Sequence, residues 1–251
     1  MANKKTIAIF GAGSGLGASL AARFGREGYQ VALVARNASS LEERVSELIS
    51  NGIKAVAFTA DLTNLDGIAG LVQSIEQQLG TINVAVYAPV PTNAKFVPAV
   101  DLDASTLKSM ASIFAFAPIE VFHSVLPSML ARGDGAVIIV GGLTSVVPIA
   151  GLSGVGPLMA AARNYIFTLN AEVMPKGVYA GTVNIGAVID RSTGLRAMTS
   201  SGRPLDPRLP VINPDDIAQE IWNLVSNRDK VELIIPPMPQ GDKLPEPSRT
   251  A

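Results

Sequence analysis

Seven residues near the start of the chain carry its clearest chemical pattern: Gly11-Ala12-Gly13-Ser14-Gly15-Leu16-Gly17. A strand-like apolar run, Thr6–Phe10, precedes them, and a segment of helical period, Gly15–Glu27, follows. In that setting the glycines have separate tasks. Gly11 permits a tight turn, Gly15 lets the backbone approach a pyrophosphate, and Gly17 lets the helix pack on the sheet. Gly13, Ser14 and Leu16 complete the cradle. The helix start adds unpaired N–H groups and a positive dipole end for phosphates. The plainer alternative is a glycine turn with no ligand.

Arg36 follows the second strand-like run, where the adenine ribose of a dinucleotide would lie. An acid there hydrogen-bonds a ribose 2′-hydroxyl, whereas an arginine accommodates a 2′-phosphate. No Asp or Glu occurs between Tyr29 and Leu41, so NADP(H) is expected rather than NAD(H). A solvated surface arginine is the alternative. Asp61-Leu62 ends the third apolar run, where a short carboxylate can accept from an adenine amino group.

The second half offers no matching machinery for proton transfer. From Ser109 to Pro175 there is no lysine, and the only tyrosine is Tyr165. None of Tyr29, Tyr87, Tyr165 or Tyr179 has a lysine four residues later. Weak catalytic candidates are Ser145, Ser153, Tyr87 and Arg163, with Thr144 beside them. Arg163 would neutralise an anionic ligand or form a salt bridge; Tyr87 would enter the crevice or simply pack. The single histidine, His123, sits in an apolar helical segment and reads as structural. The carboxylate pairs Asp101/Asp103 and Asp215/Asp216 suggest no general acid–base work, and no metal site is expected.

The elements that must position these residues alternate. Thr6–Phe10, Val31–Ala35, Ala55–Thr59, Asn83–Tyr87, Ala136–Val140, Tyr179–Ile185 and Glu232–Ile235 read as strands. Their near-continuous hydrophobicity suits parallel strands covered on both faces. Helices are expected at Gly15–Glu27, Ser39–Asn51, Asp66–Leu79, Ser105–Ala131, Val155–Met174 and Pro214–Ser226, the last capped by Asn213 with Pro214 in its first turn. The fold class is α/β, a single doubly wound parallel sheet over residues 1–235. Residues 190–211, rich in Ser, Gly, Arg and Pro, form a candidate substrate lid; 236–251 form a proline-rich tail.

The composition excludes several function classes. With a net charge of −1 and no basic stretch, the chain lacks a nucleic-acid footprint. With no cysteine it has no thiol catalysis or thiolate metal site. The first ten residues lack the pattern of a signal peptide, and the most apolar stretch, Ala136–Leu152, is broken by glycines and a proline. A cytoplasmic protein that does not insert in a membrane is the expectation.

Taken together, the chain resembles the short-chain dehydrogenase/reductase family. The resemblance rests on the Gly11–Gly17 loop, Asp61-Leu62, the run Gly135–Val140, the helix ending Thr168-Leu169-Asn170-Ala171-Glu172, and the overall layout. It implies a cofactor crevice to which Ala88 and Gly186 also contribute, and a homodimer or homotetramer formed through the long helices. It also implies a Ser-Tyr-Lys set with a supporting Asn, in which Lys lowers the tyrosine pKa from about 10. Counted from Gly135, and again back from Glu172, the Ser, Tyr and Lys positions fall on Gly142, Val155 and Met159, and the Asn position on the preceding long helix falls on Phe114. The strand end Tyr87-Ala88-Pro89-Val90 and Ile185-Gly186 also depart from the family pattern.

Three readings follow. One is a divergent NADP(H)-dependent oxidoreductase whose proton comes from the substrate or from water. Another is a non-catalytic cofactor-binding subunit that pairs with itself or with an active paralogue. The third is a non-redox enzyme, a cyclase or isomerase, on the same scaffold. Val155, Met159, Phe114 and Pro89 make the expected ligand small and apolar.

Overall fold

The apolar runs form strands because helices cover both sides of them. The structure, a computed structural model, describes residues 4–90, 94, 96–200 and 210–238. In chain order the elements are β1 (Thr6–Phe10), α1 (Leu16–Arg26), β2 (Gln30–Ala35), α2 (Ala38–Ser50), β3 (Ala55–Thr59), α3 (Ile68–Leu79), β4 (Ile82–Tyr87), α4 (Ala104–Ala111), α5 (Ala117–Arg132), β5 (Gly135–Gly142), α6 (Gly156–Val173), β6 (Val178–Ile185), β7 (Val188–Ile189), α7 (Thr193–Ser200), β8 (Val211–Ile212), α8 (Pro214–Asn227) and β9 (Glu232–Ile235).

Seven strands make one parallel sheet in the order β3-β2-β1-β4-β5-β6-β9. This is the expected α/β Rossmann architecture. Residues of α3, α5 and α6, such as Ile75, Val125 and Ile166, fill one face. Residues of α1, α2 and α8, such as Leu20, Leu41 and Ile221, fill the other. Each such side chain is fully buried, and its removal from water stabilises the fold by about 1.5–3 kcal/mol. Phe24, Tyr29 and Trp222 meet edge to face, with Phe24 and Trp222 centroids 5.1 Å apart, which fixes α1 against α8.

The chain runs outward from β1 to β3 and then returns to β4 on the other side of β1. Such a reversal opens a crevice at the carboxyl ends of the strands. Gly11, just past β1, and Ala88-Pro89, just past β4, flank it. One local feature differs in detail from the sequence expectation. The long helix expected over Ser105–Ala131 is α4 and α5 joined through a π-helical turn, Ser112–Phe116. Residues 104–132 are long and apolar enough by composition to cross a membrane, but 56% of the most apolar window is buried within the fold, against the sheet. Within 190–211 lie α7 and the start of β8, which pairs with β7 in a two-stranded sheet; 201–209 lie outside the described residues. Of the expected tail, 239–251 also lie outside them.

Candidate functional site

At the crevice the glycine loop is held by the strands beside it. The Gly11 and Ala12 amides both donate to Val34 O at 2.9 Å, and Gly13 N donates to Gly11 O at 2.7 Å. Gly11 has φ +93°, and a Cβ there would lie 2.4 Å from Pro89 N. No other residue type fits that conformation and that contact. At Gly17 a Cβ would meet Ala12 Cα at 2.7 Å, so the glycine sets how closely α1 packs on its own loop. The helix begins with no side-chain cap and no acid in its first turn. Its first amides have no intrahelical acceptor. A Cβ on Gly13 would meet only Gly11 O, at 4.0 Å, so the space before the loop is open. These donors and that opening fit a phosphate.

The surroundings are cationic. Arg36 is exposed beside Asp61. The Thr63 amide and hydroxyl, at 2.9 and 2.8 Å, hold the Asp61 carboxyl below its ordinary range, and the Arg36 charge adds to this. Leu62 and Leu16 turn their side chains into the core, leaving only backbone for a ligand. Arg44, which the sequence reading overlooked, donates to Ala12 O at 2.9 Å. Ser14 Oγ donates to Arg191 O at 3.0 Å and accepts from Arg196 at 2.5 Å.

The other side of the crevice is apolar and nearly full. Tyr87, Pro89, Phe114, Met159, Thr182 and Asn184 are among the residues lining a cavity of about 10 Å³, room for roughly one water. Phe114 and Val155 are buried together, with Met159 packed against them. Met159 Sδ accepts from Gly142 N at 3.3 Å. The Ala88 amide donates to Phe10 O at 2.8 Å and the Gly186 amide to Ile235 O at 2.7 Å, so both are engaged by the sheet.

Three of the polar candidates on this side, Tyr87, Ser145 and Arg163, have side-chain partners in the protein. Tyr87 donates its hydroxyl to Ile113 O at 2.5 Å, within the π-helical turn, and burial pushes its pKa upward. Ser145 Oγ lies 2.8 Å from Gly142 O and 2.6 Å from Asn184 Oδ1. Asn184 in turn donates to Glu232 Oε1 at 2.7 Å. Arg163 makes a two-pronged pair with Glu232 at 2.5 and 2.7 Å, a bond that raises its pKa. Arg163 is therefore tied to β9, not turned to a ligand. Ser153 does not line the cavity; its amide donates to Val97 O at 2.9 Å. Thr182 Oγ1 is buried, belongs to a residue lining the cavity, and has no hydrogen-bond partner among the described residues. Asn184 and Thr182 were legible in principle as the polar residues in an otherwise apolar strand.

The chain matches the family model for short chain dehydrogenases over residues 5–200. It is 30% identical to a short chain dehydrogenase of Pseudocercospora fijiensis over 73% of this chain, spanning 60% of that relative's length. In structure it is similar to a variant of actinorhodin polyketide ketoreductase crystallised with NADPH, with 19% identity, 92% of this chain and 95% of that one covered, and a TM-score of 0.81. It is also similar to an apo short chain oxidoreductase from Pseudomonas aeruginosa described as containing an atypical catalytic center, with 19% identity, 92% and 94% coverage, and a TM-score of 0.79. Loop, sheet order and sequence match agree, and the chain belongs to the short-chain dehydrogenase family.

Proposed function

We propose that the protein binds NADP(H) and is an oxidoreductase by scaffold that lacks the family's tyrosine route for protons. In this reading the Ser, Tyr, Lys and Asn positions are Gly142, Val155, Met159 and Phe114. The observation that carries it is the contact of Met159 Sδ with Gly142 N, beside buried Val155 and Phe114. It supports the reading because Gly142 and Met159, taken as the Ser and Lys positions, lie together there, and none of the four residues carries an acidic side-chain proton. The open loop and the cations around it support the cofactor, as does the NADPH bound by the ketoreductase relative.

The cofactor, when bound, supplies a hydride. The protein's own groups then do three things. The loop amides and Arg36 hold phosphates; Phe114, Val155 and Met159 exclude water; Thr182 Oγ1 offers the cavity one free hydroxyl. A well-placed general acid contributes about 10²–10⁴ in rate, and ordinary ketone reduction is slower by that order here. Any reduction takes its proton from the substrate or from water. Ligands are small and apolar.

A second reading, a cofactor-binding subunit without turnover, is favoured by the small cavity and by Phe116, Ile119 and Phe167, exposed on or beside the long helices α5 and α6. Calorimetry with NADPH and NADH, then NADPH consumption against carbonyls and imines, separates the two. Preference for NADPH with slow consumption is expected. Binding without consumption selects the subunit or the non-redox reading over the oxidoreductase, and no binding of either nucleotide sinks the cofactor reading itself.

A further inference from the structure

The root of the 188–200 segment is seated on the glycine loop. A Cβ on Gly15 would meet Asp190 O and Ser192 Cα at 3.2 Å. Between them Arg191 has φ +58°, an uncommon conformation for a residue with a side chain. Its guanidinium is fixed on the start of α8 by Asn213 Oδ1 and Asp215 Oδ2, both at 2.8 Å. Its carbonyl oxygen accepts from Ser14 Oγ at 3.0 Å and from Arg196 at 3.2 Å. This strained anchor carries Arg196 over the loop, where its guanidinium also reaches Ser14 Oγ at 2.5 Å and Thr193 Oγ1 at 3.4 Å. These partners are neutral oxygens.

A second cation is held on the loop backbone. Arg44 holds Ala12 O, and burial, then the charge of Arg196, lowers its pKa. Two like charges held on one loop, at Ala12 O and Ser14 Oγ, and close enough to repel, favour an anion near both. Phosphate oxygens bind guanidinium more strongly than a hydroxyl or carbonyl does, because both partners are charged.

We infer that Arg196 is a phosphate ligand of the bound dinucleotide, exchanging Ser14 Oγ for a phosphate oxygen and so fastening α7 over the loop. This rests on the NADP(H) reading above and adds a contact from outside the glycine loop. The phosphate is either the 2′-phosphate, shared with Arg36, or the pyrophosphate.

Calorimetry on the wild type, Arg196→Ala and Arg196→Lys with NADPH, NADH and 2′,5′-ADP tests it. Arg196→Ala weakens NADPH about 10- to 100-fold, the range of a lost charge-assisted bond. The melting temperature without ligand is unchanged, because Arg196 is exposed. Arg196→Lys recovers only part of the affinity, lacking the planar fork. Losses confined to NADPH and 2′,5′-ADP assign the 2′-phosphate; equal losses with NADH assign the pyrophosphate. NADPH also slows hydrogen exchange of residues 193–200 in the wild type and not in Arg196→Ala. Wild-type affinity in Arg196→Ala overturns the inference while leaving the cofactor reading intact. A wild type that binds no nucleotide overturns the cofactor reading first.

Discussion

The two sides of the crevice are built on the same sheet edge and have opposite chemistry. On the β1–β2 side, backbone amides and arginines face open space. On the β4–β6 side, most polar groups are bonded into the protein and the remaining space holds about one water. The strands dictate where both rims lie, but they dictate no side chain on either. A sheet of this kind keeps its shape when the residues on one rim change, provided that burial and hydrogen bonding are satisfied. That is why the cofactor side and the reaction side can diverge independently in one fold.

The sharpest way to break the comparison is at Gly11, where the two sides touch. Gly11→Ala combines a left-handed backbone with a contact on Pro89 backbone. The strain of about 1–3 kcal/mol and the overpacking of about 1–3 kcal/mol together cost about 3 kcal/mol. Chemical denaturation should show that loss, and NADPH affinity should fall with it. Unchanged stability would mean that the seam between β1 and β4 yields easily, and the two rims are less rigidly joined than their contact implies.

A second perturbation belongs to the closed side. Glu232→Gln leaves Arg163 half-buried against a neutral partner and disturbs the Asn184–Ser145 chain. Breaking a fully buried pair costs about 3–5 kcal/mol; with side-chain exposures of 31% and 18%, about 2 kcal/mol is expected in a denaturation experiment. NADPH affinity should not move. A large loss of affinity at constant stability would show that this network shapes the cofactor side as well.

Tyr87→Phe separates packing from chemistry. The Ile113 carbonyl loses its hydrogen bond in a buried place, at a cost of about 1–2 kcal/mol. Whatever NADPH consumption the wild type shows should persist, with the same pH profile. Loss of consumption in a stable variant would make Tyr87 a proton donor after all.

The cofactor side was legible in the sequence because its demands are backbone demands. A positive φ at Gly11 and the close approach at Gly17 can be met by one residue type, so the requirement is written as glycine. The positions of the strands were legible for a similar reason, since two covered faces require unbroken apolar runs. The π-helical turn at Ser112–Phe116 was not, because apolar residues satisfy α and π spacing alike. Nor was the Ser145–Asn184–Glu232–Arg163 chain, whose members are separated by up to 87 positions in sequence and meet only when β5, β6 and β9 align. Arg44 and Arg196 were missed because an arginine on a surface helix carries no signal until the fold brings it to the loop.

The smallest effect is expected where the cofactor side is pinned to α8. Asp215 accepts from Ser19 Oγ at 2.6 Å and pairs with Arg191 at 2.8 Å. The Ser19 bond first, and the Arg191 bond and charge after it, lower its pKa in the folded state. A carboxylate whose pKa is depressed on folding stabilises the protein above its unfolded value, near 3.9, and loses that contribution as pH falls through the folded value. Asp215 is more than half exposed, so solvent screening limits the effect to a few tenths of a kcal/mol. Asp215→Asn should therefore be slightly less stable than the wild type at pH 7, and the gap should close as the pH falls through the depressed folded-state pKa of Asp215. Because Arg191 also carries the root of the Arg196 segment, the same variant should loosen hydrogen exchange at residues 190–200 before it loosens β4–β6. Equal loosening on both rims would show that α8 braces the whole crevice rather than its cofactor side.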